Sequence, residues 1–316
     1  MPGREVFGEE EIQQVAEVLK TGVLFRYGFE DQRKGVFKVV QFEKEFAAYT
    51  GSLYALGVSS GTAALKTALK GLNLPEKTKV LTPCFTFVAT IESIEEAGLI
   101  PVLCEIDESL NISVQDIESQ IDKQTSAVLP VHMMGSACDM SGIMAASNQF
   151  NLPVIEDACQ ATGAEYKGKK LGTFGKYGCF SFDYVKVLTT GEGGMVVTDD
   201  EELYKQADWY HDHGHPHRLD VARGVEKRMR KGTNFRMNEI QGALGLAQIR
   251  KLPSIIKNHK KNKTTIKQVL SRYDFIKLRK HHDEDGEIAT FLAFFLPDVK
   301  MAERFKEKMK ENSITP

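Results

Sequence analysis

The sequence predicts an α/β fold: a mostly parallel sheet between helices, followed by a smaller C-terminal α/β region. Short apolar segments alternate with amphipathic helical segments between residues 54 and 156, as in chains built from strand–helix–strand units. The composition agrees, because 316 residues with 42% hydrophobic and 27% charged side chains are typical of a globular protein with one large domain or two ordinary ones.

Charge and cysteine content narrow the class of protein. The net charge of −2 gives no reason to expect a nucleic acid or an anionic membrane as partner. The cysteines are scattered and form no CxxC pair, which is typical of reduced thiols in the cytoplasm. The N-terminal residues MPGREVFGEEEIQQ are charged, and no apolar run reaches the roughly 20 residues that span a bilayer. We therefore expect a cytoplasmic protein.

The first half of the chain predicts its elements in order. Apolar residues three and four apart predict helices at Glu9–Lys20 and Phe42–Tyr49. Five short apolar runs then predict strands, and a helix follows each of the first four. The predicted strands are Tyr54–Val58, Val80–Thr82, Pro101–Ile106, Ser126–Val131 and Pro153–Glu156, and the predicted helices are Thr62–Gly71, Phe85–Ala97, Ser113–Ile121 and Ser141–Phe150.

The second half is less regular. The glycines of Tyr166–Phe182, including those at 172, 175 and 178, predict hairpin turns. Pro253 should end a helix that begins at Glu239, with a second, basic helix running to about Arg272. We place a large domain at residues 1–252 and the start of a smaller domain at 253–316. The other predicted elements are a strand at Met195–Thr198, a helix at Glu201–Tyr210, a loop at Asp212–Thr233, a strand at Phe291–Leu296 and a helix at Met301–Glu311.

Several polar and aromatic residues lie at or just after the ends of predicted strands. They are the Ser-Ser-Gly-Thr turn at 59–62, Phe87, His132 and Asp157. Because ligands of such sheets bind at the carboxyl ends of the strands, we expect these residues to meet on one rim.

The turn at 59–62 predicts a phosphate site. A helix that begins there offers free N–H groups and the positive end of its dipole, and Gly61 would let the phosphate approach the backbone. Thr62 adds a hydroxyl. The alternative is an ordinary helix cap, which Ser and Thr commonly provide.

Asp157 and Lys186 indicate which kind of ligand the site could bind and how. Asp157 ends a buried strand, so its carboxylate needs a partner; a protonated pyridine nitrogen is one, and a cap for the next turn is the alternative. Lys186 lies among apolar residues before Thr-Thr-Gly-Glu-Gly-Gly. Burial would favour the neutral amine that can bond to a carbonyl group, although a lysine elsewhere is usually a surface residue. Phe87 could stack on a planar cofactor or belong to the core.

An amine, an acid and a phosphate cradle together are the protein groups that a pyridoxal phosphate site requires. A non-catalytic sugar-phosphate-binding protein would explain the phosphate turn, but not Lys186 or Asp157. The histidines of WYHDHGHPH, at 211, 213, 215 and 217, could suggest a metal. Gly214 and Pro216 interrupt any regular ligand spacing, so we predict no metal and favour a loop near a substrate or a subunit interface.

A longer series of motifs, in order and with matching spacing from about residue 5 to residue 252, resembles the DegT/StrS-like sugar aminotransferases, which have the fold type I of pyridoxal phosphate enzymes. The motifs are VSSGTAAL, TPCFTFVAT, PVHMMG, VIEDACQATGAEYKGKKLGTFG, FSFDYVK, TTGEGG and GTNFRMNEIQGALGLAQ. The resemblance also implies a small C-terminal domain that continues beyond residue 316, so that this region would be incomplete here.

The resemblance implies a role for each site residue. Lys186 would hold the cofactor covalently, and Asp157 would bind the pyridine nitrogen. Gln160 would lie near the ring hydroxyl, and Phe87 would stack on the ring. Phosphate ligands would be Gly61, Thr62, Ser181 and, from the neighbouring subunit, Asn234. A homodimer with shared active sites, an amino-acid donor and a keto-sugar acceptor are therefore implied.

The resemblance also bears on the reaction and the sugar. Related sugar dehydratases carry histidine at the position of Lys186, so the lysine favours transamination over dehydration, which stays the alternative. The phrases GVLFRYGF and DHGH resemble the branch that makes 8-amino-3,8-dideoxy-octulosonate, a lipopolysaccharide sugar. The candidate acceptors are thus an 8-keto octulosonate and a nucleotide-linked keto-deoxyhexose.

Overall fold

The computed structural model describes residues 3–218, 220–221 and 225–314. Two short 3-10 helices lie at Gly3–Val6 and Met133–Gly135. The α-helices are α1 Glu9–Thr21, α2 Glu30–Arg33, α3 Lys38–Thr50, α4 Gly61–Gly71, α5 Val88–Glu96, α6 Val114–Gln120, α7 Met140–Gln149, α8 Glu201–His211, α9 Glu239–Leu270 and α10 Val299–Glu311. The strands are β1 Tyr54–Val58, β2 Lys79–Pro83, β3 Ile100–Cys104, β4 Thr125–Val128, β5 Ile155–Asp157, β6 Glu165–Tyr166, β7 Lys169–Lys170, β8 Tyr177–Ser181, β9 Gly194–Thr198, β10 Lys277–Leu278 and β11 Phe294–Phe295.

The central sheet has the strand order β3-β2-β4-β5-β8-β9-β1. Strands β3, β2 and β4 pair in parallel, and β5 pairs in parallel with β8. Two parallel bridges, Val128 to Val154 and Val131 to Asp157, join the two halves. Among the strands of this sheet only β9 has the opposite direction, because it is antiparallel to both of its neighbours, β8 and β1. The predicted mostly parallel sheet between helices is confirmed.

Each face of the sheet buries its own hydrophobic cluster. Phe180 and Val197 point to the face covered by α3, α7 and the first half of α9. Their neighbours Cys179 and Val196 point to the face covered by α4, α5 and α8. Adjacent residues of a strand face opposite sides, so a strand covered on both sides has to be apolar throughout. This explains the uninterrupted apolar runs in the sequence.

The predicted helix break at Pro253 is wrong, because α9 continues through this proline from Glu239 to Leu270. A proline inside a helix removes one hydrogen bond and costs about 3 kcal/mol. Leu252 and Ile255 on either side are buried in the core, and that packing continues the helix across the proline. The domain boundary at 252/253 stays a prediction, and α9 spans it.

The prediction of hairpins over Tyr166–Phe182 is only partly right. A short hairpin joins β6 to β7, but Tyr177–Ser181 is a central strand. Gly178 belongs to that strand: a Cβ there would lie 2.0 Å from the Gly172 carbonyl oxygen. The glycine therefore allows two backbone segments to touch and does not form a turn.

Beyond α9 the chain forms a two-stranded antiparallel ribbon, β10 with β11, and then α10. The strand predicted at Phe291–Leu296 is limited to two of its residues, Phe294–Phe295. Among the described residues, no helix combines the length and the apolar character needed to cross a membrane.

Candidate active site

A cavity of about 410 Å³ lies at the carboxyl ends of the parallel strands. Seven of the eight predicted site residues line it: Gly61, Thr62, Phe87, Asp157, Gln160, Ser181 and Lys186. The parallel strands end at the same edge of the sheet, so segments far apart in the sequence meet there. We call this site the Lys186 cavity.

The beginning of α4 forms one wall of the Lys186 cavity. Ser60 caps the helix, because its hydroxyl accepts a hydrogen bond from the Ala63 N–H at 3.0 Å. The N–H groups of Gly61 and Thr62 have no partner within the helix, as expected in a first turn. A Cβ on Gly61 would lie 2.7 Å from the Cβ of Ser181. The glycine thus lets the helix start and the Ser181 hydroxyl form one concave, hydrogen-bonding surface.

Asp157 is at the end of β5 and is only 4% exposed. One carboxylate oxygen accepts a hydrogen bond from the Thr90 hydroxyl at 2.9 Å. The other accepts one from the Cys159 N–H at 3.1 Å. These two contacts fix the orientation of the carboxylate, which lines the cavity. Thr90, which lies three residues after Phe87 on α5, was not among the predicted site residues.

Lys186 lies in the connection between β8 and β9, residues 182–193. Its backbone is held by the Gly3 N–H, which donates to the Lys186 carbonyl at 2.9 Å. The side chain is half-buried, and the neighbouring Tyr184 and Val185 are exposed. The apolar residues around the lysine therefore do not enclose it fully within one chain. Its Nζ has no hydrogen-bond partner in the part of the chain that the structure describes.

Phe87 and Gln160 complete the predicted lining. Phe87 is 66% exposed, so its ring belongs to the cavity wall and not to the core, which was the alternative. Gln160 accepts a hydrogen bond from the Met134 N–H at 3.0 Å through its side-chain oxygen. That contact orients the amide group at the edge of the cavity.

His132 does not join the rim, contrary to the expectation from the sequence. Its ring is fully buried, and Nε2 lies 3.0 Å from a carboxylate oxygen of Glu156. Glu156 also accepts hydrogen bonds from the N–H groups of Gly172, Phe174 and Gly175. A buried carboxylate requires such partners, and the glycine-rich segment supplies them. His132 and Glu156 thus stabilise the fold behind the site.

Asn234 lies outside the Lys186 cavity. It is exposed and lines a separate groove with Phe25, Arg26 and Arg236. Its side-chain oxygen accepts the Arg236 N–H at 3.4 Å. The predicted contact of Asn234 with the cofactor phosphate would therefore have to come from a second subunit.

The histidine loop, residues 211–217, packs on the N-terminal segment GVLFRYGF, residues 22–29. The Tyr27 ring stacks on His217 at 3.8 Å between centroids, and its hydroxyl lies 2.9 Å from His211 Nε2. Ligand atoms of Asp208, His211 and His217 lie within 4.8 Å of one another. The other nitrogen of His211 is 2.5 Å from the Asp208 carbonyl oxygen, so both nitrogens of this ring already have protein partners.

The C-terminal region contributes a wall that the sequence analysis missed. Ile288, Thr290 and Phe291 line the Lys186 cavity, more than 100 residues after Lys186 in the chain. They do not follow a strand of the central sheet. No rule about strand ends could have found them.

The residues of the Lys186 cavity fit pyridoxal phosphate. The surface made by Gly61 and Ser181 is a cradle that a larger residue at 61 would fill, and it offers N–H and hydroxyl groups as a phosphate requires. The buried carboxylate of Asp157 suits a protonated ring nitrogen, and the unpaired Lys186 amine suits a carbonyl group.

The sequence is similar to those of proteins with described roles. GDP-perosamine synthase of Caulobacter vibrioides is 38% identical over 220 residues, which are 68% of this chain and 57% of that protein. The spore coat polysaccharide biosynthesis protein SpsC of Bacillus subtilis is 39% identical over 264 residues, which are 80% of this chain and 64% of that protein. The chain thus spans less than two thirds of the length of these relatives.

A solved structure extends the likeness to the fold. The aminotransferase from Psychrobacter cryohalolentis superposes with a TM-score of 0.88 and 30% identity, over 98% of this chain and 82% of that one. Residues 6–315 match the sequence pattern of a single family. The chain belongs to the DegT/DnrJ/EryC1/StrS aminotransferase family, which depends on pyridoxal phosphate.

Proposed function

We propose that the protein is an aminotransferase that moves the amino group of an amino acid, glutamate as the first choice, to a keto sugar. The observation that carries this proposal is the meeting of Lys186, Asp157 and the Gly61–Ser181 cradle in one cavity. A sugar-phosphate-binding protein would need only the cradle. Amino transfer requires the amine and the buried acid in addition to the cradle.

In this proposal each residue holds one part of the cofactor. Lys186 would bind it covalently, and the Gly61 and Thr62 N–H groups with the Ser181 hydroxyl would donate hydrogen bonds to its phosphate. Phe87 stacks on the ring. Asp157, oriented by Thr90, keeps a proton on the pyridine nitrogen. When bound, pyridoxal phosphate supplies a carbonyl group that takes up the amine and a ring that delocalises the electrons left by removal of a proton.

Lys186 also moves the proton. The free Lys186 amine would act as the base that takes the proton from the donor's α-carbon and, once protonated, as the acid that returns it. With the keto sugar the same amine would serve as acid and base in the opposite direction. Because the two substrates use one site in turn, ping-pong kinetics are expected.

A homodimer is part of the proposal, because Asn234 lies outside the cavity of its own chain. An exposed Asn234 beside Arg236 is suited to reach the phosphate in a neighbouring subunit. A cytoplasmic location is also proposed, in keeping with the free thiols of the cysteines.

The acceptor is a sugar of cell-surface polysaccharide or lipopolysaccharide biosynthesis. The relatives named for GDP-perosamine and for spore coat polysaccharide support this class. The two candidates are a nucleotide-linked keto-deoxyhexose and an 8-keto octulosonate. The resemblance of the phrases GVLFRYGF and DHGH supports the second candidate.

The first experiment is the visible absorbance spectrum of the purified protein, before and after addition of glutamate. A yellow band that glutamate bleaches supports the cofactor and the first half-reaction. Nitrogen-15-labelled glutamate is then supplied with GDP-4-keto-6-deoxymannose or with the 8-keto octulosonate. Transfer of the label to a sugar supports the proposal. A protein that stays colourless with added cofactor contradicts it, and release of an unaminated deoxysugar would assign dehydration instead.

A further inference from the structure

A segment that follows α9 forms part of the wall of the Lys186 cavity and has no part in the roles proposed above. We call residues 286–291 the strap. Ile288, Thr290 and Phe291 of the strap line the cavity together with Lys186. The inference that follows rests on the proposed function, because it concerns the substrate that reaches this wall.

Backbone contacts fix the first half of the strap. The Gly286 carbonyl accepts the Glu165 N–H at 2.8 Å, and the Ile288 N–H donates to the Gly135 carbonyl at 3.2 Å. Gly135 has a φ of 75°, and a Cβ there would lie 2.6 Å from Ile288. The strap therefore packs directly on the loop that follows β4.

A buried ion pair fixes the strap to α9. Lys263 of α9 donates to the carboxylate of Glu287, and each side chain is only 6% exposed. The ring of His281 lies 3.7 Å from the same carboxylate. Burial lowers the pKa of Lys263, and Glu287 opposes that change. Removing one partner of such a pair leaves a buried charge without compensation, so the pair strongly favours one position of the strap.

Thr290 belongs to the cavity wall and carries a polar atom that the protein leaves unused. Its hydroxyl oxygen is buried and has no hydrogen-bond partner among the described residues. Buried hydroxyl groups normally have one. Beside it the Phe291 ring is 47% exposed. A hydroxyl next to an open aromatic face is suited to a ligand that carries hydroxyl groups on an apolar ring skeleton.

The charges of the cavity indicate which of the two substrates the strap can bind. Its described lining has three carboxylates, those of Asp157, Asp183 and Glu192, and Lys186 as its one cation. An amino-acid donor carries a carboxylate that requires a cationic partner. The strap wall of Ile288, Thr290 and Phe291 is neutral and cannot supply one. It therefore suits a neutral, hydroxylated part of a sugar.

We propose that the strap is the acceptor-binding wall, where the Thr290 hydroxyl forms a hydrogen bond with a hydroxyl of the keto sugar and Phe291 packs on the sugar. Glu287 acts as a positioning residue through Lys263. The donor amino acid does not use this wall. Thr290 thus determines affinity for the second substrate only.

The test measures the glutamate half-reaction and the keto-sugar half-reaction separately in the variant Thr290→Val. This substitution keeps the shape of the side chain and removes the hydroxyl. One hydrogen bond contributes about 0.5–1.5 kcal/mol, so KM for the keto sugar should rise roughly 3- to 10-fold. The rate with glutamate, the cofactor dissociation constant and the melting temperature should stay as in the wild type. Calorimetry with the aminated sugar product should show the same loss of affinity. Both candidate sugars are tried.

The matched control is Thr67→Val. The Thr67 hydroxyl is also buried without a hydrogen-bond partner in the described structure, but it lies on α4 outside the cavity lining, so its loss should leave both half-reactions unchanged. Thr290→Ser, which keeps the hydroxyl, should retain most of the affinity. An unchanged KM in Thr290→Val, or a slower glutamate half-reaction, would overturn the assignment. Failure of the wild type to aminate either sugar overturns the acceptor class itself, and the intact glutamate half-reaction distinguishes the two cases.

A second pair of variants tests the positioning residue. Glu287→Gln removes the buried charge, whereas Glu284→Gln removes the exposed partner of Lys267, a pair that also joins α9 to this region. Glu287→Gln should raise KM for the sugar more than it changes the rate with glutamate, and should speed hydrogen exchange in residues 286–291. Glu284→Gln should do neither. Equal effects of the two variants would contradict the positioning role.

Discussion

Two clusters of polar side chains lie on the same protein and differ in how their polar atoms are paired. In the Lys186 cavity, the Lys186 amine and the Thr290 hydroxyl have no hydrogen-bond partner among the described residues. In the second cluster, which we call the Tyr27 cluster, Tyr27, Asp208 and His211 hydrogen-bond one another. Polar atoms that are left unpaired in a concave site are available to a ligand, whereas paired ones stabilise the fold.

The two clusters also differ in their histidine content. The loop at 211–217 is rich in side chains that bind metals, yet the rings of His211 and His217 contact Tyr27, and His215 contacts Glu226 at 2.8 Å. The Lys186 cavity has a less unusual composition. The decisive property is the set of partners of each polar atom, and the predictions below test it.

The largest effect is expected at Lys186. Lys186→Ala removes the amine that holds the cofactor and moves the proton, so the rate of the glutamate half-reaction should fall at least about 10³-fold. The absorbance change on mixing with glutamate measures it. Lys261→Ala, at an exposed position of α9, is the control. Retention of activity near the wild-type level in Lys186→Ala would remove the basis of the proposed function.

The next largest effect is expected at Asp157. Asp157→Asn keeps the shape but loses the negative charge that holds a proton on the ring nitrogen, and the rate should fall roughly 10²-fold. Thr90→Val removes only one hydrogen bond to this carboxylate, so its loss should be at most about tenfold. Rates with glutamate measure both. A larger loss in Thr90→Val than in Asp157→Asn would show that the carboxylate is not the active group.

In the Tyr27 cluster the effect should be on stability and its pH dependence. Burial raises the pKa of Asp208 to about 7, and the positive charge of Arg26 opposes the shift. The folded state then binds this proton more tightly than the unfolded state, so the Asp208 contribution to stability decreases as pH rises from about 4 to 7. Burial lowers the pKa of His211, and its contribution has the opposite sign.

Asp208→Asn should therefore become more stable relative to the wild type as pH rises, by about 2 kcal/mol between pH 5 and 6.5. Urea unfolding at a series of pH values measures the difference. Asp274→Asn, at an exposed position, is the control. A difference between Asp208→Asn and the wild type that does not vary with pH would mean that Asp208 titrates as it does in the unfolded chain.

The smallest effect is expected for Tyr27→Phe. This variant removes the hydroxyl from the 2.9 Å contact with His211 and keeps the ring that stacks on His217. The free energy of unfolding should fall by about 1 kcal/mol, with the glutamate half-reaction unchanged. Tyr273→Phe, at an exposed tyrosine, is the control for chemical denaturation. A slower glutamate half-reaction in Tyr27→Phe would contradict a purely structural role of the Tyr27 cluster.

The main features of the fold and the floor of the candidate site could be predicted because they depend on local patterns. Alternating apolar strands and amphipathic helices indicated the mostly parallel sheet, and the strand ends located Gly61, Phe87 and Asp157. The same rule misplaced His132, since it says where a residue follows a strand and not which way its side chain points. The helix break predicted at Pro253 was wrong for a related reason, because the packing of α9 outweighs the local cost of a proline.

The sequence by itself determined the strand-and-helix order, the rim of strand ends and the residue types that meet there, because each of these follows from neighbours a few positions apart. Only the tertiary structure decided that Thr90 orients Asp157, that Tyr27 pairs with the histidine loop, and that the strap closes the cavity with Thr290. These contacts join residues 67, more than 180 and about 100 positions apart. No local period encodes such pairs, since they depend on how whole elements pack.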